Sequence, residues 1–121
     1  MQGTPSFRLP CGGESCAEHV ALAIELLRNR WSVAILEQLG FVTEPLRFGE
    51  LQRRVAGISQ RELSRQLQLL GARGIVERTV RVKKPLQVDY ALTSSGRSLL
   101  AHVEALSSWA RSKSDGSLNK A

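Results

Sequence analysis

The sequence predicts a mainly α-helical (α+β) fold with five helices and one β-hairpin, and three observations support this prediction. Apolar residues recur at helical spacing in five segments, which are separated by glycines, prolines or N-capping residues. Two runs of alternating apolar and polar residues lie between the fourth and fifth segments. The length of 121 residues and the hydrophobic content of 42% are those of one globular domain with an ordinary core.

The first predicted helix spans residues 14–27 and follows a flexible N-terminal arm at residues 1–13. Apolar residues surround most of this helix and leave only a narrow polar strip formed by Glu18, His19 and Glu25. A helix that packs on one core needs an apolar stripe of only ~100°. We therefore expect the first helix to be covered by a second surface as well.

The next two helices are predicted on either side of a short connection. The second helix runs from Trp31 to Leu39 after Asn29, which is a favourable N-cap residue. Its inward face is expected to carry Trp31, Ala34, Ile35 and Leu39. Residues 40–45 form the connection, residues 47–55 form the third helix, and residues 56–58 form a tight turn that contains a glycine.

The fourth predicted helix begins after Ser59 and is amphipathic. Ser59 is a favourable N-cap residue, and Glu62 three residues later allows a reciprocal capping box. Leu63, Leu67 and Leu70 form one apolar stripe. The opposite face contains no acid and carries Gln60, Arg61, Ser64, Arg65 and Gln68. Because amide and guanidinium groups can contact base edges and phosphates through paired hydrogen bonds, this face indicates a polyanionic partner.

The third and fourth helices, joined by a short turn, have the plan of a helix-turn-helix. Gly74 is a C-terminal stop signal, and two strands are predicted after it, with alternating apolar residues at 76–82 and at 86–92. Lys83-Lys84-Pro85 lies between the strands and places two cations at the tip of the hairpin. A helix-turn-helix followed by such a two-stranded β wing is a winged helix, which predicts DNA binding through the fourth helix and the wing.

The charge distribution agrees with this prediction. The net charge is +6, and residues 47–97 hold eleven bases and four acids, a local charge of +7. The remainder of the chain has six bases and seven acids, so the excess charge belongs to one segment. Such a concentration of positive charge is typical of nucleic-acid binding. A basic surface without a nucleic-acid partner is the alternative reading of charge alone.

Several blocks of the sequence closely resemble the HxlR-type branch of bacterial winged-helix transcriptional regulators, which is related to the MarR type. The resemblance runs from about residue 23 to residue 110 and rests on Arg47-Phe48-Gly49-Glu50-Leu51, Gly57-Ile58-Ser59-Gln60-Arg61-Glu62-Leu63, Gly74-Ile75-Val76-Glu77-Arg78, Pro85-Leu86-Gln87-Val88-Asp89-Tyr90-Ala91-Leu92-Thr93-Ser94-Ser95-Gly96 and Trp109. It implies a homodimer that binds operator DNA and is built mainly from the N-terminal and C-terminal helices. Arg28 departs from the family pattern, which usually has glycine between the first two helices.

The last predicted helix begins after the N-cap residue Thr93 and carries more apolar surface than one core needs. We expect dimerisation helices at about 14–28 and 94–111 within a domain at 14–111, followed by a polar C-terminal tail at 112–121. The predicted dimer interface consists of Val20, Ile24, Leu27, Leu100, Val103, Leu106 and Trp109. The alternative is a helix that packs on both sides inside one subunit.

The predicted DNA-binding residues form two groups. The recognition helix would contribute Ser59, Gln60, Arg61, Ser64, Arg65 and Gln68. Contacts to the DNA backbone and from the wing would come from Arg47, Arg53, Arg78, Arg81, Lys83 and Lys84. For Arg78 a structural role with a buried stem remains an alternative, because it shares strand parity with Val76 and Val80.

Cys11 and Cys16 leave a thiol-based redox sensor open as an alternative. Some members of the resembled family sense oxidants through a cysteine thirteen residues before the tryptophan that matches Trp31, but Glu18 occupies that position here. The spacing of His19 and His102 indicates no metal site, and no residue pattern indicates a cofactor or an enzyme.

The sequence therefore predicts a homodimeric, sequence-specific regulator of transcription, a repressor, that binds double-stranded DNA at a roughly palindromic operator. The first residues lack the apolar stretch of a secretion signal, and no run has the ~20 apolar residues of a membrane span. We therefore expect a cytoplasmic protein. A winged helix that binds another protein, as a co-regulator or antirepressor, is the competing function. A small-molecule effector at the dimer seam is also left open.

Overall fold

The computed structural model describes residues 16–114, and the mainly α-helical fold class is confirmed. The elements in chain order are α1 (Cys16–Leu27), α2 (Arg30–Gly40), β1 (Leu46–Arg47), α3 (Phe48–Arg54), α4 (Gln60–Ala72), β2 (Val76–Lys83), β3 (Leu86–Leu92) and α5 (Ser94–Ser114). The predicted arm at 1–13 lies outside the described residues, as does the predicted tail from residue 115 onward.

The described part of the chain divides into two compact units, residues 16–30 and residues 31–114. The first unit contains α1, whose apolar residues Val20, Leu22 and Ile24 are exposed while Leu27 is half-buried. The second unit contains the predicted helix-turn-helix, the wing and the last helix. Among residues 16–114, no helix combines the length and the apolar character that a membrane span requires.

The core of the second unit is formed by leucines and isoleucines from α2, α3 and α4. The largest fully buried apolar side chains are Ile35, Leu36, Leu39, Leu51, Leu63 and Leu70. The predicted inward face of α2 was partly wrong: Ser32 and Leu36 are buried with Ile35 and Leu39, whereas Trp31 and Ala34 are half-buried. Ser32 lies inside because it has a hydrogen-bond partner there, which a pattern of apolar residues cannot show.

A short strand precedes α3 and corrects the predicted helix at 47–55. Leu46 and Arg47 pair with Tyr90 and Asp89 of β3, which makes a three-stranded antiparallel sheet of order β1-β3-β2 rather than a two-stranded wing alone. Arg47 has an extended backbone (φ −82°, ψ 160°) and stands at the N-cap position of α3. The cross-strand pairing to β3 therefore decides the conformation of Arg47.

The predicted hairpin of β2 and β3 is confirmed. Val76 pairs with Leu92, Arg78 with Tyr90 and Val80 with Val88, and the register shifts between Val80 and Val82. Lys83 is the last residue of β2, so only Lys84 and Pro85 form the turn. The cationic tip of the wing is therefore split between a strand end and a turn.

The start of α5 is fixed to the segment that precedes β2. The Thr93 hydroxyl accepts a hydrogen bond from the Gly96 N–H (3.0 Å) and donates to the Gly74 carbonyl oxygen (2.5 Å). A side chain at Gly96 would place its Cβ 2.2 Å from the Ile75 carbonyl oxygen, so glycine permits this close approach. The predicted N-cap Thr93 is confirmed, and α5 continues to Ser114, three residues beyond the predicted boundary at 111.

Candidate nucleic-acid interface

Ser59 starts α4 as predicted. Its backbone is extended (φ −79°, ψ 160°), and its hydroxyl accepts a hydrogen bond from the Glu62 N–H at 3.0 Å. The preceding turn contains Gly57 at φ +87°, a conformation that residues with a side chain rarely adopt. This local geometry sets the direction in which α4 leaves the turn.

The two sides of α4 differ as the sequence predicted. Leu63, Leu67 and Leu70 are buried, whereas the predicted recognition residues are exposed. Those residues line one open depression together, namely Ser59, Gln60, Arg61, Ser64, Arg65 and Gln68. Their side chains present hydroxyl, amide and guanidinium groups, which are the hydrogen-bonding groups that can contact base edges and phosphates.

Glu62 changes the predicted chemistry of this surface. Its carboxylate does not complete the capping box but accepts hydrogen bonds from Arg65 Nη1 (3.0 Å) and Gln66 Nε2 (2.7 Å). The residues that line the depression include no acid, as predicted, but Glu62 lies beside them and binds Arg65. Arg61, by contrast, has no ion pair among the residues that the structure describes. The two arginines consequently differ in freedom: Arg65 is held by a carboxylate and Arg61 is not.

A buried polar pair connects α4 to α2. Gln66 lies on the core side of α4, and its Oε1 accepts a hydrogen bond from the Ser32 hydroxyl at 3.1 Å. Its Nε2 donates to Glu62, so both ends of the buried amide are satisfied. Gln66 was not among the predicted site residues. The available signal was its position three residues after Leu63 and four before Leu70, on the apolar stripe.

The predicted backbone contact Arg53 lies in an ion-pair cluster on α3. Glu50 accepts hydrogen bonds from Arg53 Nη2 (2.8 Å) and Arg54 Nε (3.1 Å). The hydrogen bond from Arg53, and next that from Arg54, lowers the pKa of Glu50 below its ordinary value of 4.5. The carboxylate therefore stays charged and partly neutralises both arginines at neutral pH.

A second carboxylate binds two of the predicted cations on the sheet. Asp89 of β3 pairs with Arg47 of β1 (Nε–Oδ1, 3.5 Å) and with Arg81 of β2 (Nε–Oδ2, 2.8 Å). Asp89 was not among the predicted site residues. Sequence pattern could not indicate it, because its partners lie 42 and 8 positions away and meet it only through the strand pairing.

The remaining predicted wing cations are exposed. Arg78, Lys83 and Lys84 form no ion pair within the described range 16–114. Arg78 lies opposite Tyr90 on the face of Val76 and Val80, but its side chain is exposed. For Arg78 both the DNA contact and the structural role with a buried stem therefore stay predictions.

The predicted interface residues of α5 separate into two groups. Leu100 and Val103 are buried in the core of their own unit, which leaves them little surface for a partner. Leu106 and Trp109 are exposed by 59% and 57%. The interface itself stays a prediction, and of these four residues only Leu106 and Trp109 are exposed.

The side chains of the two predicted redox residues lie outside the described part of the structure. Cys11 lies outside the described residues, and of Cys16 only the backbone is described, as the first residue of α1. His102 Nδ1 lies 2.8 Å from the Ser98 carbonyl oxygen of its own helix. Within residues 16–114, no group of three or more His, Cys, Asp or Glu side chains is arranged to hold a metal ion.

Comparison with known proteins gives consistent matches. A family model described as "HxlR-like helix-turn-helix" matches residues 26–117. The uncharacterised HTH-type transcriptional regulator YdzF of Bacillus subtilis is 34% identical over 86 residues, which cover 71% of this chain and 78% of YdzF.

Two solved structures show the same fold. The reduced form of the transcriptional regulator YodB from B. subtilis superposes with a TM-score of 0.70 at 31% identity, covering 84% of this chain and 94% of YodB. The redox regulator HypR in its reduced form also gives a TM-score of 0.70, at 32% identity, covering 80% of this chain and 94% of HypR.

Proposed function

The chain belongs to the HxlR-like helix-turn-helix family of transcriptional regulators, and we propose that it represses transcription as a homodimer bound to a roughly palindromic operator. The observation that carries this proposal is the exposed side of α4, where six polar and basic residues surround one depression. The relatives are regulators of transcription, and we propose no enzymatic activity and no cofactor for this chain.

In this proposal α4 enters the major groove of double-stranded DNA. Arg61 and Arg65 can each donate two hydrogen bonds to guanine, and Gln60 and Gln68 can make the equivalent pair with adenine. Ser59 stands at the N-terminus of α4, where a hydroxyl and a backbone N–H can bind a phosphate. Arg61 needs no carboxylate to be displaced, whereas Arg65 must share its guanidinium with Glu62.

The wing, the strand β1 and the helix α3 supply the contacts that carry no sequence information. Arg78, Lys83 and Lys84 are exposed cations on or beside the hairpin, and Arg47, Arg53 and Arg81 are cations that a carboxylate positions. Phosphate contacts of this kind fix the orientation of the protein on the duplex. They also make binding dependent on salt: the slope of the logarithm of the binding constant against the logarithm of the salt concentration changes by about 0.9 for each phosphate contacted.

The apolar residues of α1 and α5 support the homodimer. Val20 and Ile24 of α1 and Leu106 and Trp109 of α5 are exposed, and a twofold interface would remove them from water. Two α4 helices related by a twofold axis would contact half-sites about one helical turn (~10 bp) apart. A regulator of transcription must reach chromosomal DNA. We therefore propose that the dimer acts in the cytoplasm.

A gel shift with the DNA upstream of the protein's own gene tests this proposal. We expect one retarded complex that a tenfold excess of unrelated duplex of equal length does not displace, and an affinity that falls steeply with salt. Equal competition by unrelated DNA would contradict sequence-specific recognition. Absence of any salt-dependent DNA binding would favour the competing function, a winged helix that binds another protein.

A thiol-based response is a second candidate, supported by the similarity to the redox regulator HypR. Cys11 and Cys16 are the cysteines that would carry it, although Glu18 stands at the position expected for the sensing residue. Diamide should then weaken operator binding by the wild type and leave the Cys11→Ser/Cys16→Ser variant unaffected. An oxidant response that persists in the double variant would exclude this candidate. A small-molecule effector at the dimer seam stays a prediction.

A further inference from the structure

Asp89 lies on the central strand of the sheet and carries one arginine on each side. Arg47 on β1 and Arg81 on β2 each direct Nε to a different oxygen of this carboxylate, at 3.5 and 2.8 Å. On β2 the residue opposite Asp89 is Thr79, and Arg81 reaches the carboxylate from the register shift between Val80 and Val82. Cross-strand pairing accounts for the position of Arg47, which is directly opposite Asp89.

The geometry leaves the outer part of each guanidinium group available. Both arginines contact Asp89 through Nε, and their side chains remain exposed by 58% for Arg47 and 52% for Arg81. A guanidinium group carries four of its five N–H donors on the terminal Nη atoms, so donors remain for a second acceptor while Nε faces Asp89. Asp89 itself is 16% exposed, with one oxygen directed to each arginine.

We propose that Asp89 is a positioning residue that holds Arg47 and Arg81 as one phosphate-binding site for the DNA backbone. The inference rests on the proposed function and specifies how this part of the sheet contributes to it. The carboxylate orients two guanidinium groups, and their Nη donors bind phosphate oxygens. An arginine that is already ordered loses less side-chain entropy on binding than a free lysine such as Lys83.

The proposal makes a prediction opposite in sign to simple electrostatics. Replacing Asp89 with asparagine raises the net charge by one, which alone strengthens binding to a polyanion. If Asp89 positions two phosphate-binding arginines, the same replacement must weaken binding instead. The sign of the change therefore separates the two accounts.

The experiment compares Asp89→Asn with Glu77→Gln by salt titration of DNA binding. Glu77 provides the matched control because it lies on β2, is exposed, and forms no ion pair among the residues described. We expect Asp89→Asn to lower affinity at least fivefold and to reduce the salt slope by about 1 to 2, at about 0.9 per phosphate. Glu77→Gln should bind at least as tightly as the wild type.

Several results would overturn the proposal. Asp89→Asn binding as tightly as Glu77→Gln would do so, as would a lowered thermal midpoint with an unchanged salt slope, since that indicates a structural role only. Arg47→Ala should also cost less affinity in the Asp89→Asn background than in the wild type; equal costs would show that Asp89 does not position Arg47.

A further variant avoids dependence on the folding of Asp89→Asn. Arg81→Lys keeps the positive charge. A guanidinium group can donate to Asp89 from one nitrogen and to a phosphate from another, whereas lysine has only one ammonium nitrogen for both. We expect Arg81→Lys to lose most of the affinity that Arg81→Ala loses, and full retention would contradict the proposal. If the wild type binds no DNA in the same titration, the proposed function fails first, and the two failures are thereby distinguished.

Discussion

The helices α4 and α5 both carry an apolar stripe at helical spacing, but the structure uses the two stripes differently. In α4 every residue of the predicted stripe is buried, with Leu63 and Leu70 fully inaccessible. In α5 the first half is buried at Leu100 and Val103, and the second half is exposed at Leu106 and Trp109. The predicted stripe of α4 is thus buried within one chain, whereas the second half of the stripe of α5 is exposed.

This difference shows what helical periodicity establishes and what it leaves open. A stripe predicts that one side of a helix avoids water, without specifying whether the covering surface belongs to the same chain. The width of the stripe carries that information: α4 presents one line of leucines, whereas the apolar surface of α5 extends around about half of the helix. The same truncation should therefore have different consequences in the two helices.

The largest effect is expected from Leu63→Ala. Removing a fully buried leucine from the core should lower the free energy of unfolding by about 2–5 kcal/mol, measured by urea denaturation. Leu106→Ala removes the same atoms from an exposed site, and its effect should appear mainly as a dependence of stability on protein concentration. Equal effects of both variants at every concentration would abolish the distinction between the two stripes.

The next largest effect concerns self-association. Trp109→Glu places a charge on the exposed half of α5 and should weaken the homodimer by about 2 kcal/mol or more, roughly 30-fold in its dissociation constant. Sedimentation velocity over a range of concentrations measures this change, and circular dichroism checks that the helices persist. A monomeric wild type would contradict the proposed dimer.

The polar sides of the two helices should differ as well. Arg61→Ala on α4 should reduce the discrimination between operator and random DNA by about 1–3 kcal/mol if the guanidinium pairs with guanine. Arg97→Ala is the matched control, since it removes an exposed arginine from α5. Competition binding with both duplexes measures the ratio. An equal loss of discrimination in both variants would mean that only total charge matters.

The smallest effect is a dependence of folding stability on pH, which arises in α3, the helix that precedes α4. The pKa of Glu50 is lower in the folded state than its ordinary value of 4.5, because Arg53 and Arg54 hydrogen-bond its charged form. The stabilisation is therefore present above pH 4.5 and is lost as the pH falls through the lower, folded-state pKa. Thermal unfolding of wild type and Glu50→Gln should converge in acid. A constant difference between them down to pH 2 would contradict this assignment.

Much of the fold was predictable from local signals in the sequence. The cap at Ser59, the stop at Gly74 and the leucine spacing of α4 each depend on residues within one or two turns. The hairpin and the start of α5 at Thr93 follow from signals of the same kind. The order of the five helices and the hairpin, and the exposed side of α4, were therefore predictable from the sequence, whereas β1 was not.

The charged contacts of the candidate site were less predictable. Arg47 and Asp89 are brought together by the pairing of β1 with β3. Because β1 has only two residues, its sequence contains no periodicity that would predict a strand. The split of α5 into buried and exposed halves depends on where the other elements end, which residue spacing does not encode. Composition identified the cations, but only the three-dimensional structure showed which of them a carboxylate holds.

The hydrogen bond between Ser32 and Gln66 has a consequence for how this sequence can change through evolution. Loss of either side chain alone leaves a buried polar group without its partner, at a cost of about 1–3 kcal/mol, whereas replacement of both by apolar residues of similar shape is nearly neutral. Substitutions at the two positions are therefore expected to covary among homologous sequences, although 34 residues separate them in the chain. A lineage that changes one position first must tolerate a weaker core until the second changes.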